Sequence, residues 1–432
     1  MSDNGDKATQ ITDIPSMPDA KPKNVLESII DGLRSNREEI GHAIVTGSAA
    51  NDAGSVATYS SIGAVVGLRL HWLLLIATPI LIAMNDMCVR ISNSTKKGIG
   101  ALIREEYGFK IAFILVMVLL FSNIAIVAAN IAGMSVSAEL LTGIDFRFFV
   151  IPFAILAWFL VVKGGYKKLE KILLILSLCF LSYILAALLT NPPWMEILKN
   201  TLIPNFEFTN TFFLMAVGLL GATISPYVFY YYSGSQVEHS HDLKKARRAS
   251  ALGAIWINFI AFFIITTTAV VLFSAGISID SAKDAALALQ PLVGDLSFVL
   301  FAIGLFSASM IAVCVLPISS AYAICETLGY ESSLEKKSSG IRFFDMIFII
   351  TLASGAIIMF LGVDPIQAML FSMVISGVFT PFLLFYMVKL ANRRDLMGQN
   401  RNGWLSNGFG WFAIMLTTVI VLLMFVGFVV GT

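Results

Sequence analysis

The chain has 432 residues, of which 57% are hydrophobic and only 13% charged, where soluble domains carry about 25% charged residues. Its formal net charge is +1, so the charge balance gives no reason for a nucleic-acid partner. The apolar residues come in long blocks, which excludes a soluble globular domain, and they lack the alternation over about 10 residues that marks outer-membrane barrel strands.

Taken from the N-terminus, residues 1–40 read as a cytoplasmic segment and residues 41–432 as a transmembrane domain. Residues 1–24 are polar, carry Pro15, Pro18 and Pro22, and read as disordered; they lack the charged-then-apolar pattern of a signal peptide. Val25, Leu26, Ile29, Ile30 and Leu33 share one helical face, which either lies on the membrane surface or packs beneath the bundle. A bilayer-spanning helix needs about 20 mainly apolar residues. Such blocks fall near 44–67, 71–92, 110–134, 147–163, 171–190, 210–234, 250–275, 295–326, 343–362, 366–390 and 408–430. The expected fold class is an all-α membrane protein of about eleven transmembrane helices.

Several local features sit on this frame. Asp86 and Arg90, at i and i+4 near the inner end of the second block, read as a helix-surface ion pair. Asp364-Pro365, ahead of the tenth block, reads as a helix cap with proline in the first turn. Tyr230, Tyr231 and Tyr232 either line an inner vestibule or anchor their helix at the membrane interface. Cys88, Cys179, Cys314 and Cys325 stand singly in apolar blocks and read as inert thiols. His42, His71, His239 and His241 fall at helix ends or in loops, none in mid-membrane. With no clustered carboxylates either, the base, nucleophile or ligand set of a membrane enzyme is missing.

Lysine and arginine mark the cytoplasmic side of membrane helices. With the N-terminus inside, every lysine and arginine falls in an inner segment except Arg69, Arg147, Lys199 and Lys283. One missed or extra span would scramble that asymmetry. It supports the span count and a multi-pass orientation in the cell (inner) membrane with the N-terminus cytoplasmic and the C-terminus outside.

Two spans carry strings that a continuous helix disfavours. The first contains Asn51-Asp52-Ala53-Gly54-Ser55 inside an apolar block, and Asp, Asn, Ser and Gly all weaken helices. The sixth contains Gly221-Ala222-Thr223-Ile224-Ser225-Pro226-Tyr227, where Pro226 removes a backbone donor and clashes with the preceding turn. Broken membrane helices survive only where the freed backbone lines a cavity or protein. A pair of them in corresponding spans of two five-span halves points to the substrate site of an inverted-repeat transporter. A mid-membrane charge is functional by default, and Asp52 has no mid-span lysine, arginine or histidine to pair with. It therefore reads as a cation ligand. The hydroxyls of Ser55, Thr223 and Ser225 and the freed carbonyls are hard oxygen donors, which suit magnesium, calcium and manganese. Each serine taken alone reads equally well as helix packing with a back-bonded hydroxyl.

At these two strings the sequence resembles the NRAMP family of divalent-metal transporters. Asp52-Ala53-Gly54-Ser55 stands where the family has Asp-Pro-Gly-Asn, and Ser225-Pro226-Tyr227 where it has Met-Pro-His; Cys325-Glu326-Thr327-Leu328-Gly329 is also similar to the family's. The resemblance runs from about residue 40 to 430. It implies a LeuT-like fold with an ion between broken spans one and six. It implies Asp52 as the metal-binding aspartate, Ser55 in place of a ligand asparagine, and the Ala222 carbonyl as a ligand. Ser225 replaces a methionine whose sulfur favours transition metals, so the sequence looks like the NRAMP-related magnesium-transporter branch. Thr223, Tyr227, Asn123 and Asn130 are expected along the pathway or vestibule. Asn123 and Asn130 stand where the family has a glutamate and an aspartate, and Tyr227 and Tyr232 where it has histidines. Amides do not titrate and tyrosine titrates near pH ~10, so proton coupling is not expected.

The resulting expectation is uptake of divalent cations, magnesium above all and manganese as well, with the ion as substrate and no cofactor. Beyond the cation and the bilayer no obligate protein partner is evident. The alternatives are a proton-coupled manganese or iron transporter, a sodium-coupled amino-acid carrier on the same fold, and a non-transporting sensor.

Overall fold

Every regular element among the described residues is helical. The computed structural model describes residues 51–164, 180–239, 242–333 and 342–430, all within one unit, residues 39–432. The expectations for residues 1–40, for the start of the first apolar block, and for His42, Cys179 and His241 fall outside the described residues.

Helix α1 (Ala53–Val66) starts at the first break: Asp52 is extended (φ −75°, ψ 178°) and its carboxylate takes the Ser55 N–H at 2.7 Å, an N-cap. Then follow α2 (His71–Thr95), the short α3 (Ile99–Tyr107), α4 (Phe109–Thr142), α5 (Arg147–Gly164), α6 (Leu181–Leu189) and the short α7 (Trp194–Leu202). Helices α8 (Asn210–Thr223) and α9 (Pro226–His239) are two halves of one span. Helix α10 (Leu243–Thr268) runs on into a π-helical turn, Ala269–Phe273. After α11 (Ala282–Leu287) come α12 (Ser297–Leu328), α13 (Phe343–Phe360), α14 (Pro365–Asn392) and α15 (Trp404–Val430).

Eight of these segments are long and apolar enough to cross a membrane, with α8 and α9 counted together; α1 and α5 are shorter apolar helices. The first and fifth expected blocks are represented among the described residues only by α1 and α6, so those residues do not by themselves carry the count of about eleven. The short helices α3 and α7 have no counterpart in the hydropathy blocks because each is only nine residues long.

The interior is built for close helix contact. Helix α4 packs along α12, and a Cβ at Gly133 of α4 would overlap Ser309 Oγ of α12; small residues let membrane helices approach. The outward surface is apolar: Ile114, Phe121, Phe148 and Val429 are 62–87% exposed, which water would penalise and lipid does not. At one end of α2, Asp86 holds Arg90 at 2.8 Å and also meets Arg247 of α10. Arg90 extends to the Asn400 carbonyl and to Asn402 Oδ1, so the expected surface pair is a buried tie between α2 and the segment before α15. Asp364 caps α14 through the Gln367 N–H at 2.8 Å, with Pro365 at the first helical position. Cys88, Cys314 and Cys325 are free and buried.

Candidate functional site

The first break is held by side chains. Asp52 is fully buried. One carboxylate oxygen takes the Ser55 N–H at 2.7 Å and the other takes Asn130 Nδ2 of α4 at 3.3 Å. Asn130 also donates to the Ile126 carbonyl at 2.7 Å and accepts the Ala53 N–H at 2.9 Å. Its amide thus uses both protons and its oxygen in one clamp across the break. The Ser55 side chain also hydrogen-bonds to Asp52, and a carboxylate offers about four acceptor positions in all. Tyr59 and Tyr227 lie within electrostatic reach of Asp52. Among the described residues no lysine, arginine or histidine is bonded to it. Among the described residues no three of His, Cys, Asp and Glu converge, so the charge at this site is that of one carboxylate among neutral oxygens.

The second break is made by backbone chemistry. The helical donor for the Ala222 carbonyl would be the N–H of residue 226, and Pro226 has none. Helix α8 therefore stops at Thr223 and α9 restarts at Pro226. Ser225 and Thr223 are both buried with their hydroxyls turned back into α8: Ser225 donates to the Gly221 carbonyl and Thr223 to that of Leu219. Each oxygen keeps lone pairs. Helix α8 lies against α1, with Gly218 facing the Thr58 methyl.

Helix α14, the expected tenth span, touches both breaks, a part in the site that the sequence did not suggest. A Cβ at Gly54 would sit 2.6 Å from the Met373 methyl and 3.0 Å from Ser372 Oγ, so a side chain there would have to displace the methionine; at Gly221 a Cβ would overlap the Met373 carbonyl. The Ser55 hydroxyl donates to Met373 Sδ at 3.6 Å. A thioether therefore stands beside the site, supplied from α14 rather than from the sixth span. Ser376 and Thr380 of α14 bond to the Gly221 and Ile224 carbonyls at 3.2 and 2.9 Å. The spacing of Ser372, Ser376 and Thr380 at i, i+4 and i+8 was the legible signal for this face.

Two expected pathway residues part company. Asn130 is joined to Asp52. Asn123, seven residues earlier, donates instead to Ser319 and Ser320 of α12 at 3.1 and 2.8 Å. Tyr227 is buried, and Tyr230, Tyr231 and Tyr232 are only 2–9% exposed; that burial disposes of the interface-anchor alternative for the tyrosine run.

A family model described as Nramp, natural resistance-associated macrophage protein-like, matches residues 43–427. The divalent metal cation transporter MntH of Clostridium acetobutylicum is 30% identical over 227 residues, 50% of this chain and 50% of that protein. The chain thus spans about half the length of the curated relative it matches. Among solved structures, the Eremococcus coleocola manganese transporter in complex with an aromatic bis-isothiourea substituted compound superposes with a TM-score of 0.71 at 16% identity, over 93% of this chain and 87% of that one. MhsT in complex with L-phenylalanine gives 0.55 at 15% identity over 90% and 98%. Mhp1, a nucleobase-cation-symport-1 family transporter, gives 0.53 at 12% over 89% and 91%. At such identities the likeness carries the fold alone, the LeuT-like helical arrangement.

Proposed function

The chain belongs to the Nramp family, and from that premise we propose that it carries divalent cations into the cell, magnesium first and manganese as well, without moving protons. The observation that carries this reading is the single buried carboxylate of Asp52, held by the Ser55 N–H and an asparagine, with no basic partner. An anion would be repelled; a cation removes the penalty of the buried charge. In this reading Asp52, Ser55, Ser225 and the Ala222 carbonyl bind the ion, and Gly54 and Pro226 make the breaks that expose them. Magnesium sheds water reluctantly and keeps several waters when bound, and short serines in place of longer ligands leave room for them. The fourth helix offers Asn123 and Asn130 where a relay would need groups that titrate near working pH. Two charges crossing about 100 mV gain roughly 4.6 kcal/mol, twice the single-charge figure, which drives uptake unaided. The N-terminus and residues 1–40 are then cytoplasmic and the C-terminus outside, in the cell membrane.

A second reading has its own support. Met373 Sδ lies 3.6 Å from Ser55 Oγ, and thioethers favour softer metals. A protein working as a manganese carrier would use that sulfur in place of the one missing at Ser225.

The deciding experiment is uptake into proteoliposomes under an imposed membrane potential, read with internal magnesium-, manganese- and pH-sensitive dyes. Magnesium uptake without internal acidification is expected. Manganese uptake alone would install the second reading, and acidification locked to metal entry would overturn the uncoupled one.

A further inference from the structure

A backbone carbonyl binds a cation well only if no hydrogen-bond donor already occupies it. At the second break Pro226 decides which carbonyl lacks its helical donor, and the bonds made by the neighbouring carbonyls decide how that carbonyl is held. The last carbonyls of a helix are orphans, and here they can be followed one by one. The Leu220 carbonyl takes the Ile224 N–H at 2.7 Å. The Gly221 carbonyl takes two hydroxyls, Ser225 from its own span and Ser376 from α14 at 3.2 Å. The Ile224 carbonyl takes Thr380 Oγ1 of α14 at 2.9 Å. Ala222 and Thr223 lie between Gly221 and Ile224, and the helical donor of the Ala222 carbonyl is the N–H that Pro226 lacks.

The α14 hydroxyls do not look like ordinary membrane-helix hydroxyls, which bond back into their own helix. Ser376 gives its proton across to α8. Thr380 divides its proton between the Ile224 carbonyl and its own Ser376 carbonyl, both at 2.9 Å. Both side chains are fully buried. The contact is backbone-close, because α8 and α14 meet through Gly221 and Gly377, where a Cβ on Gly221 would come within 2.5 Å of the Gly377 nitrogen. Ser372, one turn before Ser376, faces Gly54 of the first break.

We infer that Ser376 and Thr380 are positioning residues for the cation site: by holding the Gly221 and Ile224 carbonyls they fix the backbone between them, so that the Ala222 carbonyl, which Pro226 deprives of its donor, is aimed as the ion's backbone ligand. This rests on the cation-carrier reading above. The role acts through the backbone and puts neither hydroxyl on the ion.

The test uses the full chain in proteoliposomes and compares Thr380→Val, Ser376→Ala and Thr380→Ser for magnesium and manganese uptake, with titration calorimetry of each ion on the purified protein. Loss of one hydroxyl is expected to raise KM about 3- to 10-fold, the range for one hydrogen bond, while the maximal rate moves less than about twofold. The calorimetric Kd is expected to follow KM, and Thr380→Ser, which keeps the hydroxyl, to restore both. An unchanged KM and Kd in both Thr380→Val and Ser376→Ala, with wild-type uptake intact, would overturn this inference alone. A lower maximal rate at unchanged KM would do the same, because it marks a structural role only. A wild type that neither binds nor carries either ion would bring down the carrier reading and this inference with it.

Discussion

The two breaks that face each other are made by opposite means. At the first, a side chain ends one segment and begins the next: Asp52 caps α1 through the Ser55 N–H, and Asn130 ties the carboxylate to the Ala53 N–H. At the second, a proline removes a donor, and the orphaned carbonyls are met by hydroxyls from another helix. One break presents fixed negative charge at the positive end of a helix; the other presents carbonyls at the negative end of one. On the proposed reading a cation would lie between them, with no basic residue bonded to Asp52 among the described residues. The difference teaches where the site is fragile. The first break depends on two side chains, the second on a helix contact.

The most severe way to break this comparison is to remove the charge and keep the cap. Asparagine caps helices about as well as aspartate, so Asp52→Asn leaves α1 intact while deleting the ion's anionic partner. Breaking a buried charge pair costs about 3–5 kcal/mol, and magnesium uptake in proteoliposomes is expected to fall at least about 100-fold. The melting temperature in detergent should move by less than about 4 °C, the shift that goes with roughly 1 kcal/mol. Lost uptake with a matching loss of fold would mean that Asp52 serves the helix rather than the ion.

Asn130 comes next. Asn130→Leu keeps the volume but leaves the Ala53 N–H and one Asp52 oxygen without their partner. A buried group left unsatisfied costs about 1–3 kcal/mol. KM for magnesium should rise about tenfold and the melting temperature should drop by several degrees, because here the same contacts hold both the ligand and the helix start. A variant with normal KM would show that Asp52 needs no clamp, and would remove the contrast between the two breaks.

How much of this was legible follows the same division. The first break could be read because its chemistry is local: a carboxylate among helix-weakening residues in an apolar block marks a break and a charge at once, although its capping of α1 came only with the structure. Pro226 announced the second. What satisfies the second break was not read, because Ser376 and Thr380 lie about 150 residues away from it, and a serine at i+4 spacing in a membrane helix reads as back-bonded until the neighbouring helix is known. Asn123 and Asn130 illustrate the limit from the other side. Two turns apart on α4, they were read together, yet one meets Asp52 and the other meets α12. The family resemblance paired them; only the neighbours separate their roles. Met373 escaped for a plainer reason: a methionine in an apolar span carries no signal of its own.

The smallest expected effect sharpens the comparison most finely, because it asks what α14 adds beyond hydroxyls. Met373 packs on Gly54 and receives the Ser55 hydroxyl on its sulfur. Met373→Leu conserves volume and costs less than about 1.5 kcal/mol of stability, so its effect on selectivity is readable in a folded protein. If the sulfur reaches an ion at Asp52, manganese uptake should fall about threefold relative to magnesium, since the softer ion loses a polarisable neighbour and the harder one does not. If both ions are carried as before, Met373 is a wall and not a ligand, and the oxygens of the two breaks must set the preference by themselves. A rise in both rates would mean that the Ser55–Met373 contact holds the serine away from the ion, so that freeing the hydroxyl improves the site for either metal.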